Sequence, residues 1–217
     1  MKKLLFKELR LSSMAITYFF LLFSFMTFLP GYPIVTGSFF VCMGIFYSFQ
    51  FARESNDSVY MLLLPVSKRQ VVGAKYLFVL FLEIAAFVIM ILCTLFRMTF
   101  LSTAPVYTEN ALLSANFFYL GFCLVSFGLF NLVFVRGYFK TAYKIGVPFL
   151  IYCLLEAVVI SASEAVGHFP GLEFFTVTDF SFLNAQLIGL AVGAVFFVLA
   201  TLFSYNRAKS SFERLDF

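Results

Sequence analysis

Six long apolar stretches separated by short polar ones dominate the chain: Leu11 to Leu29, Ile34 to Phe51, Tyr76 to Phe96, Ala111 to Val135, Ile145 to Val166 and Phe182 to Phe203. Each holds 18 to 25 residues, enough for a helix to cross a hydrocarbon layer about 30 Å thick. The pattern predicts an all-α integral membrane protein with six transmembrane helices, a single domain over 1–217. Ahead of the first stretch, Met1, Leu4, Leu5 and Leu9 share one face at helical spacing, and Lys3, Lys7 and Arg10 share another. That phasing predicts an interfacial helix over 1–11, lying along the membrane surface and turning into the first span. The apolar run from Leu11 exceeds the core of a secretory signal, and no small-x-small site precedes Pro30. It reads as an uncleaved first span.

Charge orients this frame. Fourteen of the fifteen Lys and Arg residues sit at alternate ends of the spans: Lys2, Lys3, Lys7 and Arg10; Arg53, Lys68, Arg69 and Lys75; Arg136, Lys140 and Lys144; Arg207, Lys209 and Arg214. Arg97 alone is left for the other side. Basic loops stay cytoplasmic, so both termini and the loops 52–75 and 136–144 are expected inside. The net charge of +4 sits at membrane edges, where lipid attraction accounts for it better than nucleic acid. With 62% hydrophobic residues and a mean hydropathy of +0.99, little material remains for a soluble domain. The chain has 34 Phe and no Trp. Interfacial aromatic positions therefore fall to Tyr18, Tyr32, Tyr47, Tyr76, Tyr107 and Tyr205. The Phe excess could line a greasy substrate path, but an AT-rich coding bias accounts for it better. Cys42, Cys93, Cys123 and Cys153 all lie inside apolar stretches without paired spacing, which suggests small packing residues.

Catalytic constellations are missing. No Walker A pattern occurs, no inside loop could hold a nucleotide-binding fold, His168 is the only histidine, and there is no G-x-S-x-G elbow. No catalytic or metal site is expected. Glu83 and Glu156 lie well inside the third and fifth spans, while Glu164 sits near an outer end. An intramembrane carboxylate is costly enough to suggest a functional role. The alternative is a hydrogen-bonded structural residue, satisfied by Tyr, Asn131 or Gln50 from a neighbouring helix. Both readings stand. Gly189 and Gly193, extended upstream by Ala185, give one face of the sixth span a small-residue stripe suited to close packing within the chain. Arg136, Lys140 and Lys144 recur every four residues, as on one side of a helix joining the fourth and fifth spans, facing lipid headgroups or a cytoplasmic partner. The stretch 168–181 mixes Phe with Pro, Gly and acidic residues; it either dips into the outer leaflet or forms an aromatic collar.

The loop Ala52 to Lys75 is the most informative. A polar break over Glu54 to Ser58 precedes an apolar run, Val59 to Leu64, that ends at Pro65. A helix there stops before the proline. Ser67 offers an N-cap with Gln70 three residues on, and Val66 and Val71 occupy hydrophobic-staple positions, so a new helix starts at Ser67. Exposure of Tyr60, Met61, Leu62, Leu63 and Leu64 to water is unfavourable. They should meet lipid, the rest of the chain or a partner.

The run Leu64-Pro65-Val66-Ser67-Lys68-Arg69-Gln70-Val71-Val72, followed by Lys75-Tyr76, resembles the Leu-Pro-Val-Ser-Arg stretch of small bacterial type-2 ATP-binding-cassette (ABC) transporter permeases. There, too, it lies between the second and third spans, and the interfacial helix, six spans, aromatic outer segment and short basic C-terminus extend the resemblance over the whole chain. The resemblance implies a multi-pass permease subunit of the bacterial cytoplasmic membrane, paired with a second copy or a homologous permease and with cytoplasmic ATP-binding cassette subunits. ATP and magnesium would be held by those partners, and this chain would bind no cofactor and be no enzyme. A coupling helix would map to about 58–64, with Tyr60, Met61, Leu62, Leu63, Leu64, Pro65, Ser67 and Arg69 docking the ATPase, and outer re-entrant helices would map to 168–181. The implied function is ATP-driven export, here suited to an amphipathic peptide or other hydrophobic molecule, with Glu83 and Glu156 as candidates for the substrate path. The alternative is a non-transporting immunity or scaffold protein that binds a cassette ATPase or a toxin.

Overall fold

The computed structural model describes residues 2–57, 60–61, 65–108, 112–141, 144–172, 175–178 and 180–214. Among these residues every regular element is helical. Helix α1 runs over Lys2–Lys7 and continues as a π turn over Glu8–Ser12. Ser13 and Met14 take extended backbone, and the chain bends by 90° into α2, an α-helical turn over Ala15–Phe20 followed by a 3₁₀ stretch over Leu21–Phe28. The helix after the bend therefore starts at Ala15, and Leu11 belongs to the helix before it. Leu4, Leu5 and Leu9 pack on the core, as their phasing requires, while Phe6 and Leu11 stay exposed.

After the Pro30–Pro33 turn come α3 (Thr36–Glu54), α4 (Lys68–Phe100) and the short α5 (Pro105–Thr108). α6 starts at Phe117–Leu129, passes through a π stretch over Phe130–Val135 and resumes as α-helix over Arg136–Lys140. α7 covers Gly146–Val166 and α8 Leu183–Glu213. Four of these, α4, α6, α7 and α8, are long and apolar enough to cross a membrane; the bent pair α1–α2 could supply a fifth. α3 has the length, with 19 residues, but its Gly, Ser and Gln content keeps it below the apolarity of the others.

Three boundaries differ from the hydropathy pattern. The fourth helix starts at Phe117 because Asn116 caps it, its Oδ1 accepting from Tyr119 N at 2.9 Å. Arg136 and Lys140 continue that same helix, which ends at Thr141, so Lys144 lies on no common helix with them. α8 carries ten residues beyond Phe203, which makes the basic C-terminal stretch helical.

α6 is the most buried of the long helices, and α7 the most exposed. The core between α3, α6 and α7 is largely aromatic: Phe46 stacks on Phe149 with centroids 3.9 Å apart, and Phe49 meets Phe134 and Tyr138 edge-on. Part of the Phe excess is thus packing. Tyr76, expected at an interface, is buried. The outer stretch forms turns and a short 3₁₀ element over Phe180–Phe182 among its described residues. Its Phe175 packs on Phe118, and the Phe175 and Val177 carbonyls accept from Asn116 Nδ2. With Gln186 Nε2 also donating to the Val177 carbonyl, the stretch is held against the starts of α6 and α8.

Candidate functional site

The corner predicted at Ser67 is present in full. Ser67 Oγ accepts from Gln70 N at 3.3 Å, Gln70 Oε1 accepts from Ser67 N at 3.1 Å, and the long α4 begins there. Val71 is buried and Val66 packs on the core. Of the apolar run before Pro65, Ser58, Val59, Leu62, Leu63 and Leu64 lie outside the described residues. The two that remain diverge sharply: Tyr60 is 67% exposed and Met61 only 2%. Met61 anchors the segment to its own chain, and Tyr60 presents outward. Arg69 joins Glu213 at the end of α8 through both Nε and Nη, the second contact at 3.3 Å, while Lys68 Nζ donates to the Glu213 carbonyl at 3.5 Å. The corner is therefore braced against the last helix.

Beside the corner lies a cluster that sequence reasoning missed. Lys75 forms an ion pair with Glu8 and stands 3.7 Å from Asp57, and Lys7 pairs with Glu8 at 3.1 Å and with Asp57. The Lys75 ammonium also lies 5.6 Å from the Phe49 ring centroid. Glu8 and Lys75 are buried. Two cations and two anions thus tie the N-terminal helix, the segment after α3 and the first turns of α4 into one neutral unit. Lys7 and Lys75 had counted only as topology charges. Nothing local predicts the pairing, because Lys75 meets an acid 67 positions earlier in the chain.

At membrane depth the polar groups are held without any cation. Asn131 Nδ2 donates to Glu83 Oε2 at 2.9 Å and to Thr201 Oγ1 at 3.2 Å, joining α4, α6 and α8. Asn131 sits in the π stretch of α6, where a wider turn leaves carbonyls free of the helical ladder. Its carbonyl accepts from Ser204 Oγ, and Tyr76 OH lies 2.5 Å from that same Ser204 Oγ. Glu156 accepts from Ser126 Oγ. Both carboxylates point into the bundle and are buried. Asn131 is thus the partner of Glu83, Ser126 that of Glu156, and the two sites are separate. Glu164, near the end of α7, accepts from Leu113 N at 2.8 Å.

A family model described as ABC-2 family transporter protein matches residues 3–209. The chain belongs to that family. No curated protein and no solved structure matches it. As an ABC-2 permease it is a multi-pass component of membrane transport. The permease packs α6 against α8 through glycine: a Cβ on Gly121 would stand 2.7 Å from the Gly189 carbonyl oxygen, and one on Gly193 would collide with Gly121 backbone. Gly189 and Gly193 therefore serve packing within the chain, while Ala185 lines an apolar groove beside them. At the end opposite the basic clusters, Arg97 is buried; it donates to the Thr27 carbonyl at 2.6 Å and lies 4.1 Å over the Tyr107 ring. It closes the last turn of α2.

Proposed function

We propose that the chain is the transmembrane subunit of an ATP-driven exporter in the bacterial cytoplasmic membrane, with both termini and the basic end of the bundle in the cytoplasm. α2 and α3 would complete six spans over a single domain, 1–217. ATP and magnesium are held by separate cassette subunits, and a second permease, identical or homologous, completes the pathway. The cassette docks on the segment 58–64 and on the Pro65, Ser67 and Arg69 corner. Glu83 and Glu156 line the route of an amphipathic peptide or other hydrophobic substrate.

The observation that carries this reading is the divergence of Tyr60 and Met61. Met61 is buried in its own core, yet its neighbour presents an aromatic ring at the end where the corner is capped and braced. An exposed aromatic anchor on a segment fixed from behind is what a docking helix offers a partner. Tyr60→Asp should abolish copurification of the cassette ATPase while membrane insertion is retained. ATPase binding of unchanged affinity in that variant would overturn the docking assignment. A cassette that binds but whose hydrolysis never responds to the reconstituted chain would favour a non-transporting scaffold.

A further inference from the structure

We propose that a cavity beside Glu83 binds the alkylammonium arm of an amphipathic substrate, admitted sideways from the bilayer; this rests on the permease reading and specifies its substrate class. The cavity measures about 230 Å³ and lies between α4, α6 and α8. Its walls include Ile84, Phe87, Leu124, Phe127 and Phe197, and among the described residues that line it Glu83 alone is titratable. Ile84 and Val198 flank it and are 55% and 51% exposed on the bundle surface, so its mouth opens where lipid would lie.

The cavity wall is almost wholly apolar, and Glu83, buried at its edge, is short of donors. Asn131 Nδ2 is shared between Glu83 Oε2 and Thr201 Oγ1. That leaves Glu83 Oε1 and Asn131 Oδ1 buried, with no hydrogen-bond partner among the described residues. Of the two, only Glu83 lines the cavity; an orphan carboxylate oxygen in an apolar place is costly, and the cost is lifted by a group that brings donors. An ammonium brings three donors and no acceptor. It also brings the charge that lets a carboxylate stay ionised out of water, provided the pair is hydrogen-bonded on both sides. Asn131 already supplies one such bond to Glu83. Among the described residues no Lys, Arg or His lines the cavity to compete. The remaining wall is hydrocarbon and aromatic, suited to an alkyl chain. A volume of 230 Å³ falls below the roughly 300 Å³ at which pockets begin to enclose a drug-sized ligand. The cavity therefore fits one arm of a larger molecule.

The test is photolabelling of the full chain in lipid nanodiscs with a diazirine-bearing octylammonium, mapped by mass spectrometry. The expected label falls on the peptides that carry Ile84, Phe87 and Phe197. Unlabelled octylammonium should compete at a concentration about tenfold or more below octanol, the difference one charge-assisted bond supplies. Glu83→Gln should erase that preference while unfolding at the wild-type temperature. Ala194→Leu, which narrows the cavity without touching the bond to Asn131, should cut total labelling. Equal competition by octanol and octylammonium would mean that the acceptors hold an ordered water, and would overturn the proposal. So would a preference that survives Glu83→Gln or, if that variant fails to fold, labelling that survives Ala194→Leu. Labelling needs no ATPase, so its failure would leave the permease reading standing. Failure of ATPase copurification would leave amine labelling unchanged.

Discussion

The basic end of the bundle and its interior solve the same problem, a buried carboxylate, by opposite means. At the basic end Glu8 is paired with Lys75 and Lys7, and Asp57 closes the set. At depth Glu83 and Glu156 have only an amide and a hydroxyl. The difference follows from the cost of carrying a cation into hydrocarbon. Near the water boundary a lysine can be buried at its tip, because its neighbours and the nearby solvent share the charge. Deeper in, a neutral donor is cheaper, and the carboxylate is left with unused bonding capacity. Ion pairs fix geometry; under-bonded acids leave room for a ligand. The first arrangement suits a joint that transmits motion, the second a site that changes its contents.

That contrast can be broken at its strongest point first. Lys75→Met removes the central cation and leaves the buried Glu8 beside the part-exposed Asp57 with Lys7 alone, a loss of about 3 kcal/mol. Thermal unfolding of the purified chain should show the drop, and adding Glu8→Leu should recover part of it. If Lys75→Met alone unfolds like the wild type, the cluster is solvated and the contrast fails. Glu83→Leu should cost less, about 1–3 kcal/mol, since it strands one amide donor that keeps Thr201. Glu83→Gln should be nearly silent in the same assay. Equal losses from Leu and Gln would mean that the negative charge itself holds the interior together. Glu213→Gln should change stability least, because its pairing with Arg69 is exposed to water. A large, salt-insensitive loss there would make the corner brace a structural element of the first rank.

How much of this was legible in the chain depends on the range of the interaction. Hydropathy located the apolar middle of the four long helices α4, α6, α7 and α8, but missed some of their ends by six to ten residues, because capping and amphipathic extensions lie outside the apolar run. Ser67 and Gln70 announced their corner, because both capping bonds close within three residues. The start of α6 carried a comparable signal in Asn116, one residue before the helix, which hydropathy alone overran. Asn131 was a candidate partner for either acid, but only the fold assigns it to Glu83. The Lys75, Glu8 and Asp57 cluster was invisible, since basic residues at a membrane edge already had a sufficient explanation in topology. The segment 58–64, the most suggestive stretch of the sequence, is described only at Tyr60 and Met61.

The winding of α2 has a consequence for the bilayer itself. Built throughout as α-helix, residues 15–28 would measure about 21 Å; with the second part wound as 3₁₀ they reach about 25 Å, because each residue there rises about 2.0 Å instead of about 1.5 Å. The chain trades hydrogen-bond quality for reach, and still falls short of a hydrocarbon layer of about 30 Å. Were α2 a span, as proposed above, the lipid beside it would dimple inward, at a cost of fractions of a kcal/mol for each ångström of mismatch. Membrane thickness would then become a quantity to which the permease is tuned.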